Sequence, residues 1–128
     1  GVGKLMEESP FTDVGRDDPL FEKLAALVKT RAIVFTDNRL RLDDKMTVGE
    51  LAMLLAPRGE AISRRVAQLR KTGKAGPYDG ALSYCRENGL IAASAKAENA
   101  VTKLPDAMFD KVSDFTRRNV YAAYKMEA

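Results

Sequence analysis

Met46-Thr47-Val48-Gly49-Glu50-Leu51-Ala52-Met53-Leu54-Leu55 is the stretch that decides the fold. Thr47 followed three residues later by Glu50 is a capping box. The hydroxyl takes the N–H of the third helical residue and the carboxylate reaches back to the N–H of Thr47, so two donors that a helix start leaves unpaired are satisfied. Met46 before the cap and Leu51 after it stand at the staple positions, where two apolar side chains clamp the entry of the chain. A helix is therefore predicted to begin at Thr47. Pro57, which disfavours helical geometry at Ala56, keeps it short.

Upstream lies a polar loop with Asp37 and Asn38, and before it a short apolar run, Ala32-Ile33-Val34-Phe35. Further back, Leu20, Phe21, Leu24, Leu27 and Val28 fall at i, i+1, i+4, i+7 and i+8, one stripe of a helix predicted from about Pro19 to Thr30. Asp17 or Asp18 is suited to cap it and Pro19 to its first turn. Phe11-Thr12-Asp13-Val14 opens this order, and residues 1–10, which show no period, read as a tail.

Downstream, a third helix is predicted over about Glu60 to Lys71, with Ile62, Val66 and Leu69 on one narrow stripe and arginines beside it; Gly73, Gly76 and Pro77 close it. The order then starts again. Tyr78, Ala81, Leu82 and Cys85 form a new stripe, Asn88-Gly89 supplies a stop, and Leu90-Ile91 stands where Ile33-Val34 stood. Thr116-Arg117-Arg118-Asn119 stands where Thr47 to Glu50 stood, with Phe115 and Val120 at the staple positions. The second loop is longer, and Pro105 to Val112 within it reads as an inserted helical turn or two. The predicted fold is mostly α: tandem helix-loop-helix repeats packed as one small domain over residues 1–128. The repeats span about 11–56 and 78–127, joined by a basic helical linker at about 57–77. Leu20, Leu24, Leu27, Ile33, Leu51, Leu55, Leu82, Ile91 and Val120 are expected to share one core, because neither half has enough apolar surface to fold alone. The competing reading is a single helix from Pro105 to Met126, in which Thr116 caps nothing.

Composition narrows the function. The chain has no His and a single Cys85, which removes Ser-His-Asp triads, Cys-His pairs and zinc clusters. The adjacent pairs Asp17-Asp18 and Asp43-Asp44 read as solvated loop charge, so no catalytic residue, metal ligand or cofactor is expected, and an enzyme is the least favoured class. No apolar run is long enough to span a bilayer, and no charged-then-apolar leader precedes the first helix. The net charge is only +3, but Arg58, Arg64, Arg65, Arg70, Lys71 and Lys74 face one acid, Glu60, between residues 58 and 74. That excess suits an anionic partner such as a polysaccharide, nucleic acid or lipid headgroup, or a solvated helix face.

The order from Phe11 to Ala56 resembles a surface-layer homology repeat, the module that holds bacterial exoproteins on cell-envelope glycans. Phe11, Asp13 and Val14 match the family's opening, Ile33 its turn, and Thr47 and Glu50 its Thr-Arg-Ala-Glu-like helix start. In the second half, Tyr78 to Tyr84 resembles the first helix, Asn88 to Ile91 its end and turn, and Thr116-Arg117 the last motif. Val48 stands where the first motif has arginine, Ala32 replaces the turn glycine, Asn119 replaces the second glutamate, and no Phe-x-Asp-Val precedes Tyr78. The resemblance implies an extracellular, envelope-associated module that binds an acidic cell-wall polysaccharide in grooves between repeats, with arginine as a key contact. Carried onto this chain, the glycan-binding residues are Arg117, Arg118, Thr116, Thr47 and Glu50. A guanidinium matches a carboxylate fork, and a helix start adds its own N–H groups; two arginines there equally suit a structural ion pair. The family usually works in threes, so self-association to complete a three-repeat unit is a further expectation.

Two alternatives stand beside it. Thr47 to Gly73 also reads as a helix-turn-helix for DNA, with Gly59 in the turn and Ala61 to Val66 as recognition helix. Pro57 falls where that motif needs an apolar residue, however, and Arg65 falls where the second helix must face inward. A purely structural or protein-interaction helical module is the other.

Overall fold

The computed structural model describes residues 11–30, 32–33, 37–57, 60–71, 73, 76, 78–104, 109 and 111–124, with the side chains of 60–63 excepted. The fold is mostly helical: α1 (Phe21–Lys29), α2 (Val48–Leu55), α3 (Glu60–Lys71), α4 (Asp79–Glu87) and α5 (Arg117–Ala123), with no strand among the described residues. The tail, the Val34-Phe35 part of the first apolar run and most of the expected turn at Pro105 to Val112 lie outside the described residues. Within that last segment Phe109 is buried, and its carbonyl accepts the N–H of Val112.

Both capped helix starts form. Thr47 is the N-cap of α2 and its capping box closes in both directions, with Met46 and Leu51 buried as its staple. Thr116 is the N-cap of α5 and its hydroxyl accepts from Asn119 N. The chain is not helical from 112 to 116, so a single helix from Pro105 to Met126 is not what forms. The first helix is shorter at its start than the stripe implied, beginning at Phe21; the cap position is Leu20, and Asp18 acts one turn earlier, its carboxylate taking the Leu20 N–H at 2.9 Å.

The helices α1 and α4 end alike. Ala32 N donates to Leu27 O after α1 and Leu90 N to Cys85 O after α4, the six-to-one closure of a Schellman turn. Gly89 takes the left-handed conformation this turn needs, at φ +70°. An isoleucine follows each closure, Ile33 buried and Ile91 partly so.

The pairing of helices is reciprocal. α1 of the first half packs on α5 of the second, and α4 of the second half packs on α2 of the first, while α3 also lies against α4. The expected shared core forms: Leu24, Leu27, Ile33, Leu51, Leu82 and Val120 are buried in one cluster with Met46, Cys85, Phe109 and Tyr121, and Leu20, Leu55 and Ile91 pack against it. Each leucine taken out of water adds about 1.5–3 kcal/mol. Because α1 is answered by a helix that begins 88 positions after it ends, and α4 packs on α2 from the first half, the halves share this burial.

Candidate functional site

The two capped helix starts meet. The backbone of 44–47 runs antiparallel to 115–118, bridged at Lys45 and Thr116, and a second bridge joins Thr47 to Ala100. Met46 N donates to Phe115 O and Val101 N to Met46 O, each at 2.8 Å. A helix start leaves its first N–H groups without internal partners, and here the opposite segments take them. Val48 N donates to Asn99 O and Gly49 N to Ala97 O in α2; Arg117 N donates to Asp44 O and Arg118 N to Leu42 O in α5. The third N–H of each helix goes to its capping threonine. The helix-start N–H groups that the sequence suggested as anion donors are thus already engaged.

At this junction Glu50 and Arg117, sixty-seven positions apart, form one unit. Glu50 Oε1 accepts from Thr47 N at 3.0 Å and from Thr47 Oγ1 at 2.9 Å, and Glu50 Oε2 lies 2.6 Å from Arg117 Nε. Arg117 Nη1 donates to the Arg41 carbonyl at 3.2 Å and lies 3.5 Å from Asp44 Oδ2. The two side chains are 15% and 10% exposed for Arg117 and Glu50. Burial pulls the Arg117 pKa down, but the Glu50 bond and charge outweigh it and the net shift is upward. The partner set leaves the Nη2 edge of Arg117 without a hydrogen bond among the described residues.

Arg118 points elsewhere. Its Nη1 pairs with both oxygens of Asp18 at 3.0 and 3.2 Å, tying α5 to the entry of α1. The Leu20 N–H, and after it the Arg118 guanidinium, hold the Asp18 carboxyl below the usual carboxylate range despite partial burial. Asp18 is therefore not the solvated loop charge its adjacent pair implied; Asp44 is, at 63% exposure. Lys23 Nζ completes the tie between α1 and α5 by donating to the carbonyls of Ala122 and Tyr124, the helix end that favours a cation. So of the five residues suggested for glycan contact, the fold brings Thr47, Glu50, Thr116 and Arg117 to one junction and sends Arg118 to an ion pair.

Two tyrosines border the junction, and the sequence reading did not single them out for binding. Tyr78, half-buried at the start of α4, lies so close to Gly49 that a Cβ there would come within 2.8 Å of the ring. Tyr121 follows Arg117 by four residues and so shares its face of α5; that spacing was the one signal in the sequence. Burial first, and the Glu50 charge second, push both phenols above their ordinary pKa.

Other features bear on chemistry. Cys85 is buried, its pKa pushed up to about 11 by desolvation, and its thiol donates to the Ala52 carbonyl. Among the described residues no group of three or more Cys, Asp or Glu side chains is placed to hold a metal ion. None of their helices is long and apolar enough to cross a membrane. A groove of about 670 Å³ runs between α2 and the loop from Gly89 to Leu104, lined by Val48, Leu51, Ile91 and Val101 among others. On α3, Arg65 faces inward: it pairs with Glu87, donates to Ser83 Oγ at 3.3 Å and lies over the Tyr84 ring. Arg70 and Lys71 are exposed. The expected turn glycine, Gly59, lies outside the described residues, and among those described α2 and α3 each pack on α4 and not on each other. No protein-family model matches the chain, and neither the curated proteins nor the solved structures contain a match, so the surface-layer resemblance rests on the residues quoted for it.

Proposed function

We propose that this chain is a non-catalytic, envelope-associated module that binds an acidic cell-wall polysaccharide at the junction of its two halves, with Arg117 as the central contact. The observation that carries the reading is the setting of Arg117. It begins α5 directly after a capping threonine, it is held at Nε by Glu50 and at Nη1 by the Arg41 carbonyl, and its Nη2 makes no hydrogen bond to a described residue. A fixed fork of this kind loses little freedom on meeting a carboxylate. The reciprocal packing of α1 on α5 and α4 on α2 supports it too, since it sets the two repeat-like halves against each other. Arg118 contributes by holding α5 against α1, and Thr47, Glu50 and Thr116 by fixing the geometry around Arg117. Assembly with further copies into a three-repeat unit belongs to the same reading and is read by light scattering.

The test compares retention on purified bacterial wall polysaccharide with retention on duplex DNA at matched ionic strength, because exposed charges are screened over about 10 Å at 0.1 M and salt alone would weaken both. The wild-type chain is expected on the glycan. Arg117→Lys keeps a cation for Glu50 but removes the fork, and is expected to release it. Retention on DNA that depends on Arg64 and Arg65, with none on glycan, would overturn the proposal in favour of a helix-turn-helix. Arg65 is a poor base-reading residue in this fold, being packed against α4.

A further inference from the structure

Residues 99–104 form one wall of the groove beside α2, and that wall is paired along one edge only. Towards α2 it is tied by the bridge between Thr47 and Ala100, with Val48 N donating to Asn99 O and Val101 N to Met46 O, each at 2.8 Å. In that antiparallel pattern the two bridged residues exchange no hydrogen bond with each other, so the N–H and C=O of Ala100 point away from α2. Ala100 and Thr102 both line the groove, both are exposed, and neither makes a hydrogen bond to a described residue. Around them the groove is apolar, with Leu90, Ile91 and Leu104 only partly buried in it. Lys103 is the one charged residue among those described that line it; it is exposed, and its ammonium has neither an ion pair nor a hydrogen bond with a described residue.

We propose that this groove is a second binding site, which takes an extended peptide of a partner protein by adding it as a strand to the unpaired edge of residues 99–104. Apolar side chains at alternate positions of the peptide sit in the groove, and a carboxylate of the peptide is set against Lys103. An unpaired strand edge calls for a ligand that offers donors and acceptors in turn along its length, which a peptide in β conformation does and an acyl chain does not. A strand also turns every second side chain to one side, so alternate residues meet Leu90, Ile91 and Leu104 while those between them stay in water. The groove volume of about 670 Å³ lies within the ~300–1,000 Å³ of sites that hold a ligand. Lys103 speaks for a partner of opposite charge. It speaks against a second copy of this chain, since a lysine on an edge strand is a device that keeps copies of one protein from pairing. The described residues that line the groove include neither Arg117 nor Glu50, so the site is separate from the junction and independent of glycan binding.

The probe is a positional-scanning library of acetylated, amidated and fluorescently labelled hexapeptides, read by anisotropy on the full chain. It is expected to select valine, isoleucine or leucine at alternate positions and aspartate or glutamate at one other. Methylating every second backbone nitrogen of the selected peptide, in the set that faces the edge, is expected to weaken binding about tenfold, as for loss of two backbone hydrogen bonds. Methylating the other set is expected to leave the affinity close to that of the parent. Lys103→Glu is expected to weaken the acidic peptide about tenfold, to prefer the same peptide with lysine in place of the acid, and to keep wild-type retention on wall polysaccharide. No selection from the library, or equal loss from both methylated sets, would overturn the strand addition. Unchanged affinity of the acidic peptide for Lys103→Glu would overturn it too. A chain that is a dimer by light scattering and becomes a monomer as peptide binds would overturn the partner in favour of a second copy.

Discussion

Replacing Glu50 with alanine tests whether the two halves are held by a designed contact or merely adjoin. The carboxylate closes the α2 capping box through Thr47 N and Thr47 Oγ1 and neutralises Arg117 from the other half. Loss of the cap costs about 1 kcal/mol. Removing one partner of a fully buried pair costs about 3–5 kcal/mol. Here the figure is discounted to about 2 kcal/mol, because Arg117 is 15% exposed and keeps the Arg41 carbonyl and Asp44. The total of about 3 kcal/mol is a large part of the ~5–15 kcal/mol that holds a domain together. At about 2.1 cal/mol/K of unfolding entropy per residue, it lowers the midpoint of this 128-residue chain by about 11 °C. Glu50→Gln keeps an acceptor for Thr47 and is expected to lose about half as much. Thermal and urea unfolding followed by far-UV circular dichroism measures each, and the double-mutant cycle with Arg117→Ala isolates the pair, with about 1.5–2 kcal/mol of coupling expected. A coupling under about 0.5 kcal/mol would show that the pair does not join the halves.

Gly49→Ala places a Cβ 2.8 Å from the Tyr78 ring and 3.1 Å from the Ala97 Cβ, so it is expected to destabilise by about 1–3 kcal/mol; a urea midpoint equal to the wild type's contradicts the close approach. Thr116→Ala removes the α5 cap and should cost about 1 kcal/mol, whereas no change in midpoint would show that the Asp44 and Leu42 carbonyls alone hold the helix start. Cys85 should resist a disulfide reagent at pH 8 in the native state and react at once in denaturant, given a pKa near 11 and a buried thiol; fast native labelling refutes its burial. Asp18 has a folded pKa below its unfolded one, so its contribution is complete above about pH 4 and disappears as pH falls through the folded value. Urea midpoints measured from pH 6 to pH 2 should therefore fall less steeply in Asp18→Asn, and parallel profiles would refute the assignment.

What could be read in advance was what the chain encodes locally. A threonine, a glutamate three residues on and two flanking apolar side chains specify the α2 start within six residues, and Thr116 does the same for α5. Helix stripes mark Leu24, Leu27, Leu82 and Cys85 as interior by their period alone. The pairing of Arg117 with Glu50, and of Arg118 with Asp18 a hundred positions away, leaves no periodic trace, because it is set by how two helices approach in space. The same holds for the helix-start N–H groups: the sequence shows that they need partners but not that Asn99, Ala97, Asp44 and Leu42 supply them. Arg65 fell at a position that a helix-turn-helix would turn inward, which counted against that motif because it is charged, and the neighbouring Tyr84 and Glu87 show how the charge is accommodated there. Tyr78 was visible as a member of a stripe, where an aromatic ordinarily means core, and Tyr121 was marked only by its four-residue spacing from Arg117.

The reciprocal packing also governs when this chain can acquire its shape during synthesis. Lys23 grips the carbonyl of Ala122, ninety-nine positions later, and α1 has its packing partner only when α5 exists. A nascent chain that has reached Glu87 holds α2 and α4 but not α5, the helix that packs on α1. Closure waits for residues near 120, and pairing across such separations is slow. At a ribosome adding about 5–20 residues per second, the stretch from the end of α1 at Lys29 to the start of α5 at Arg117 takes about 4–18 s to make, and for that interval α1 is without its packing partner.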